Sequence, residues 1–171
     1  MGIFTPEGFK AYELVDEATY TMLGDESWRL LDIKLLITLD TIKTLKSWSI
    51  VVNDWHWGKS FQYRGVRTHN CKIGADGSAH RKGMAVDFDA YEGKVRISPT
   101  EVREVILRNI DDLPHLRCIE TENWNHIDVM DEKDSSSRTG INEKNILFYS
   151  PIHGSRIVKR KDIESEVGTC S

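Results

Sequence analysis

The chain has 171 residues, of which 39% are hydrophobic and 29% are charged, and its formal net charge is −4. This length and composition predict one soluble globular domain, spanning residues 1–171 as a monomer, with a real hydrophobic core. The negative charge argues against a nucleic-acid-binding protein. No apolar stretch approaches the ~20 residues of a membrane-spanning helix.

The N-terminus and the cysteines bear on the compartment. The stretch MGIFTPEGFKAYELVDEA has no basic region followed by an apolar one, so we expect no secretory signal and synthesis in the cytoplasm. The cysteines are odd in number and form no C-x-x-C pair; they are Cys71, Cys118 and Cys170. This pattern favours a reduced compartment over a disulfide scaffold.

Two segments have the apolar spacing of helices. The first is expected to begin at an N-cap, either Asp25 or Ser27, and to end near Leu45. The second is predicted over residues 101–109, with Thr100 as its N-cap. Both are scaffold elements by their composition.

Extended patterns occur after the first predicted helix and near the C-terminus. Residues 49–53 (SIVVN) predict a strand, and the runs ILFYS and RIVKR predict a hairpin near the C-terminus. The segment after the first strand is dense in aromatic and basic side chains: Trp55, Trp57, Phe61, Tyr63, Arg64 and Arg67. These residues could line a groove for sugar or peptide, or could be core residues beneath a loop.

The stretch SAHRKGMAVDFD, residues 78–89, holds two residues of metal-ligand type, His80 and Asp87, on either side of Gly83. A continuous helix would separate positions seven residues apart by roughly 10 Å, too far for two ligands of one ion. A turn at Gly83 followed by an extended run would bring them together. The alternation after the glycine is that of a half-buried strand with Asp87 on its polar face.

A third ligand candidate, His126, lies in the strand-like run IETENWNHIDV. Strand alternation would place it on one face with a tryptophan and three acidic residues: Glu120, Glu122, Trp124 and Asp128. Each segment alone also fits an ordinary strand with surface acids. Together they predict a metal site with three protein donors and one open position.

These stretches resemble a known family. SAHRKGMAVD is similar to the Ser-x-His-x-x-Gly-x-Ala-x-Asp signature of the zinc D-alanyl-D-alanine carboxypeptidases, whose relatives include phage L-alanyl-D-glutamate endopeptidases and the hedgehog domain. All five fixed positions match: Ser78, His80, Gly83, Ala85 and Asp87. The segment QYRGVRTHN resembles the family's Tyr-Arg segment through Tyr63, Arg64 and, displaced by one place, Asn70. WNHID resembles the family's Trp-x-His-x-Asp strand, so the resemblance covers about residues 53–130.

The resemblance implies the roles of individual residues. Zn²⁺ would be bound by His80, Asp87 and His126, with water in the fourth position. Substrate would be bound by Arg64 and Ser78. The arginine would pair with a substrate carboxylate or stabilise the developing oxyanion.

The resemblance also calls for a carboxylate that takes a proton from the water. Many peptidases of the family have a glutamate three residues before the last histidine, and that position here is Asn123. The hedgehog domain has its glutamate six residues before, which corresponds to Glu120. The alternation leaves Glu120 and Glu122 both possible, and the spacing favours Glu120.

The implied fold is α+β: a small antiparallel sheet that carries the zinc site, with helices packed against it. The implied function is that of a zinc metallopeptidase, a carboxypeptidase or endopeptidase that cleaves the stem peptides of peptidoglycan. With no visible signal peptide, it would act at the cell wall as a phage endolysin or virion protein. The alternative is a non-catalytic zinc module that serves in a virion or binds the wall, and Asn123 favours it.

Overall fold

The computed structural model describes residues 5–68 and 71–166, and within them it shows seven strands in one sheet and three α-helices. The strands are β1 Ser49–Val51, β2 Ala85–Glu92, β3 Val95–Arg96, β4 Cys118–Glu120, β5 Asn125–Asp128, β6 Asn145–Ser150 and β7 Gly154–Lys159. The helices are α1 Glu17–Leu23, α2 Ile33–Leu45 and α3 Pro99–Arg108. The predicted α+β class is therefore confirmed. Two residues singled out from the sequence, Asn70 and Cys170, lie outside the described part of the chain.

The sheet has the strand order β1-β2-β5-β4-β6-β7, and β3 extends it as a second partner of β2. All neighbours are antiparallel except β4 and β6, which run parallel. The prediction of an antiparallel sheet is therefore wrong for this pair. Because β5 already occupies one side of β4 as a hairpin partner, the connection over residues 129–144 returns the chain to the other side in the direction of β4.

Both helix starts differ from the predicted ones. The longer helix begins at Ile33 with Asp32 as N-cap, whose side chain accepts a hydrogen bond from the Lys34 N–H at 2.8 Å. The two predicted caps lie instead in a 3₁₀ segment, Gly24–Leu30. The later helix begins with Pro99 at its first position and Ser98 as N-cap, because proline lacks the N–H that the first turn leaves unpaired.

The run predicted as one strand around His126 is a hairpin. It divides into β4 and β5, which pair antiparallel with Cys118 opposite Asp128 and Ile119 opposite Ile127. Continuing this register by one residue brings Glu120 across from His126, so the two residues lie on neighbouring strands rather than along one strand. The predicted C-terminal hairpin is confirmed as β6 and β7.

The strand β2 divides the molecule into a core side and a site side. Its side chains Val86, Phe88 and Ala90 are fully buried in the hydrophobic core, together with residues of α2 and α3. The alternate positions, which include Asp87 and Asp89, face the other side of the sheet. No helix in the described residues has both the length and the apolar character needed to cross a membrane.

Candidate metal centre

The three residues predicted as ligands come together around one point. His80 lies on a 3₁₀ turn, Ala79–Lys82, while Asp87 and His126 stand opposite each other in the register of β2 and β5. One donor atom from each residue lies within 4.8 Å of the other two. This buried cluster could hold a metal ion.

The predicted turn at Gly83 is confirmed, and it has two physical causes. Gly83 has φ of +66°, the left-handed conformation that glycine adopts without strain. A methyl group added there would lie 1.9 Å from the carbonyl oxygen of Leu30. The Gly83 carbonyl in turn accepts a hydrogen bond from the Asp32 N–H at 2.9 Å, so both chain segments are fixed against each other. The turn therefore sets where His80 sits relative to β2.

The donor atoms form a tight triangle. The His126 Nδ1 atom lies 2.7 Å from Asp87 Oδ1, and His80 Nε2 lies 3.4 Å from the same oxygen. The two imidazole nitrogens are 3.3 Å apart. Two imidazoles and a carboxylate are a donor set that suits zinc and neighbouring transition metals. A cation at this point could be coordinated by all three atoms once the proton shared between His126 and Asp87 has left.

Each candidate ligand also has an outer partner that orients it. The Nδ1 atom of His80 lies 2.8 Å from the carbonyl oxygen of Gly65, so the ring donates there and directs Nε2 to the cluster. Asp87 accepts a hydrogen bond from Arg67 Nη2 at 2.9 Å through its second oxygen. Such outer partners fix the tautomer and orientation of metal ligands.

The outer partner of His126 is Asp128, which is fully buried. Its Oδ2 lies 3.7 Å from His126 Nε2, and it also pairs with the guanidinium of Arg138 and accepts from the Met130 N–H at 3.1 Å. In the sequence, Asp128 is marked by its place in the WNHID stretch, two residues after His126 on the same strand. Arg138 lies in a loop with no pattern that marks it.

The protonation of the cluster reflects its charges. Burial lowers the pKa of His126, but the nearby carboxylates of Asp128 and Asp87 outweigh it and raise the pKa to about 10. Burial raises the pKa of Asp87, but the hydrogen bonds with His126 and His80 have the larger, opposite effect and bring it well below its usual range. Burial lowers the pKa of His80. The cluster thus favours one positive charge among its donors, and a bound metal ion would replace a proton.

Comparison with known proteins adds nothing to this geometry. No family model, curated protein or solved structure matches the chain. The resemblance to the zinc D-alanyl-D-alanine carboxypeptidases therefore stays a prediction that rests on its three motifs.

The cluster opens into a cleft of about 800 Å³. Its lining includes all three candidate ligands and Ser78, one of the two predicted substrate-binding residues. The rings of Trp124 and Tyr149 form part of its wall, and they are 38% and 39% exposed. A molecule in the cleft would therefore contact the metal cluster and two aromatic rings at once.

The structure separates the two candidate bases. Glu120 lines the cleft, and its Oε2 accepts a hydrogen bond from Trp124 Nε1 at 2.7 Å. Glu122 does not line it, and its Oε1 accepts from Ser150 Oγ at 2.5 Å. The position favours Glu120, and its catalytic role stays a prediction.

The structure also separates two arginines. Arg64, predicted to bind substrate, donates to Asp89 Oδ2 at 2.7 Å, lies over the Phe61 ring and does not line the cleft. Arg67 lines the cleft and contacts the candidate ligand Asp87. Both belong to the same YRGVR run, so sequence alone could not choose between them without knowing the path of this loop.

We expect Arg67→Lys to weaken zinc binding by about 10–100-fold, the usual effect of losing an outer partner of a ligand. Lysine is a point charge and cannot hold the Asp87 oxygen as the guanidinium does while also donating to the Tyr63 carbonyl. Arg64→Lys is the matched control, and its zinc affinity should equal that of the parent. Titration against a chromogenic chelator measures both, and equal affinities in the two variants would contradict the assignment.

Proposed function

We propose that the protein is a zinc metallopeptidase that cleaves peptidoglycan stem peptides at a bond beside a D-amino acid. The observation that carries this proposal is the buried His80–Asp87–His126 cluster at the base of an open cleft, with Glu120 on the cleft wall. A catalytic zinc site needs three protein donors, an open position and a nearby carboxylate. The choice of peptidoglycan stem peptides as the substrate rests on the three sequence motifs.

The three donors fit zinc through their chemistry and their outer partners. Bound there, zinc would polarise the scissile carbonyl and lower the pKa of a water molecule to about 7. Gly65, Arg67 and Asp128 would hold the ligand orientations through the contacts they already make.

Glu120 would act as the general base and then the general acid. Its carboxylate takes a proton from the attacking water, and the same proton goes to the amine nitrogen as the C–N bond breaks. The hydrogen bond from Trp124 Nε1 holds one carboxylate oxygen and leaves the other free for this transfer. The rings of Trp124 and Tyr149, which line the cleft, would contact the bound peptide.

The proposed biological setting is a phage lytic or virion-associated enzyme that acts at the cell wall. The stem peptide is cut at either a D-alanyl-D-alanine or an L-alanyl-D-glutamate bond, the two specificities of the family that the motifs resemble. The buried cluster and the wide cleft would serve either bond, because the two hydrolyses have the same chemistry: water attacks a carbonyl and an amine leaves.

A digest of purified stem peptides tests the proposal. The protein loaded with one equivalent of zinc should release a new amino group, and a chelator should abolish the release. His80→Ala and His126→Ala should each lose most of their zinc, since two protein donors remain. If both variants hold zinc as fully as the parent does by elemental analysis, the ligand assignment is wrong.

The second candidate function is a non-catalytic zinc module for a virion or the cell wall. Asn123 favours it, because many peptidases of the family have their glutamate at this position. In the structure Asn123 is exposed in the turn between β4 and β5. A parent protein that binds zinc stoichiometrically and cuts no stem peptide would support this module over the peptidase.

A further inference from the structure

A second cavity, the aromatic groove, lies beside β1 and β2. It has a volume of about 910 Å³, and its lining includes Asp54, Trp57, Lys59, Phe61, Asp89 and Tyr91. Its members come from the loop over residues 54–61 and from the edge of the sheet. None of them belongs to the metal cluster.

The aromatic groove lies on the same face of the sheet as the metal cluster. Side chains of a strand alternate, so Asp87, Asp89 and Tyr91 of β2 point to one side. Asp87 is a candidate metal ligand, whereas Asp89 and Tyr91 line the groove. At about 3.3 Å per residue, these two positions lie roughly 7 and 13 Å along the strand from Asp87. One extended substrate could therefore reach both.

The loop that forms the groove wall is closed on itself by hydrogen bonds. The Phe61 carbonyl accepts from the N–H groups of Asp54 and Trp55, and Asp54 Oδ1 accepts from the Phe61 N–H at 2.8 Å. Trp55 is anchored inward, since its Nε1 donates to the Val15 carbonyl at 2.9 Å. The wall is thus held in place before any ligand arrives.

This fixed loop leaves two aromatic rings in solvent. Trp57 is 57% exposed and Phe61 is 46% exposed. These two and the cleft residues Trp124 and Tyr149 are the four most exposed of the Phe, Trp and Tyr side chains in the described residues. The first pair lines this groove, and the second pair lines the metal cleft. Aromatic rings that are exposed and form part of a cavity wall can stack on a ligand that enters the cavity.

The charges of the groove nearly cancel. Both oxygens of Asp89 are paired, one with Arg64 and the other with Arg96. The Arg64 guanidinium also lies 4.1 Å from the centre of the Phe61 ring and covers one side of it. A charge-balanced groove with open aromatic faces and polar rims suits a neutral ligand with apolar faces and hydroxyl edges, which describes a sugar ring.

We propose that the aromatic groove binds a neutral oligosaccharide, a segment of the N-acetylated glycan chain that carries the stem peptide. The sugar rings stack on Trp57 and Phe61, and the peptide extends along the sheet face to the metal cleft. The choice of this glycan rests on the proposed function. In this proposal Arg64 contributes to substrate binding indirectly, because its guanidinium lies against the Phe61 ring.

Calorimetric titration with the hexamer of β-1,4-linked N-acetylglucosamine tests the groove without any peptide. We expect the zinc-loaded parent to bind it, and Trp57→Ala and Phe61→Ala each to weaken binding about tenfold or more. Trp57→Phe should restore much of the affinity, since it keeps a ring. Met22→Ala, which removes a side chain that is 76% exposed and lines neither cavity, should bind as the parent does.

A parent that does not bind the hexamer, or a Trp57→Ala variant that binds it equally well, overturns the groove proposal even where stem peptides are cleaved. If the protein binds the sugar through Trp57 but cleaves no peptide, the peptidase proposal is wrong and the groove remains a carbohydrate site. With an active enzyme, Trp57→Ala should slow cleavage of glycan-linked peptide and spare the free peptide. Equal slowing of both substrates would count against the groove.

Discussion

If the protein is the proposed peptidase, Glu120→Gln is expected to lower its activity about 10²–10⁴-fold, the contribution that general acid–base catalysis usually makes. Glutamine keeps the shape of the side chain and can still accept the hydrogen bond from Trp124, but it cannot take a proton from water. Zinc content, unfolding temperature and substrate affinity should all stay at their parent values. Rate measurements under saturating peptide, together with metal analysis of the same preparation, check the expectation.

Glu122→Gln is the matched control, since it makes the same chemical change two residues away. Its side chain is engaged with Ser150 outside the cleft, so the activity should change little. The reverse order of the two effects would transfer the role of base to Glu122. Two variants with full activity would show that another group takes the proton.

The His80–Asp87–His126 cluster could be predicted from sequence because its chemistry is local. A histidine, a glycine and an aspartate in one short stretch require a turn, and the strand alternation after it orients Asp87. His126 was identifiable because strand alternation groups its imidazole with a tryptophan and several carboxylates. What sequence could not supply was the register of β2 on β5, which sets Asp87 opposite His126.

The arginines show the limit of motif reasoning. Arg64 and Arg67 are three residues apart in a loop without periodic pattern, and only the course of the backbone decides which one meets Asp87. The same holds for Arg138, whose partner Asp128 lies in another element. Contacts between distant segments depend on tertiary packing, so their signals are absent from any one stretch.

The fold was predictable in its elements and not in their arrangement. The division of the run around His126 into β4 and β5 has no breaker such as proline or glycine to mark it. The parallel pairing of β4 with β6 follows from the long connection over residues 129–144, whose path no local propensity encodes. The helices begin at other caps than predicted, because the side chains of Asp32 and Ser98 accept hydrogen bonds from the first-turn N–H groups of Lys34 and Glu101.

Gly83→Ala is expected to destabilise the protein by about 2–5 kcal/mol, a large share of the ~5–15 kcal/mol that stabilises an ordinary domain. About 1–2 kcal/mol comes from placing a Cβ in the left-handed conformation. A further ~1–3 kcal/mol comes from the contact with the Leu30 carbonyl, which is backbone and is held by the neighbouring hydrogen bond from Asp32. Because Gly83 fixes the turn that bears His80, zinc affinity should fall as well.

Gly58→Ala separates these two causes. Gly58 also ends a 3₁₀ turn in the left-handed conformation, with φ of +76°, but nothing lies within 4 Å of where its methyl group would be. This variant should therefore lose only the ~1–2 kcal/mol of conformational strain and keep its zinc affinity. Urea unfolding of both variants, with and without zinc, measures the difference. Equal losses would mean that the Leu30 segment yields to the methyl group, and that the close approach of Leu30 and Gly83 does not determine the position of His80.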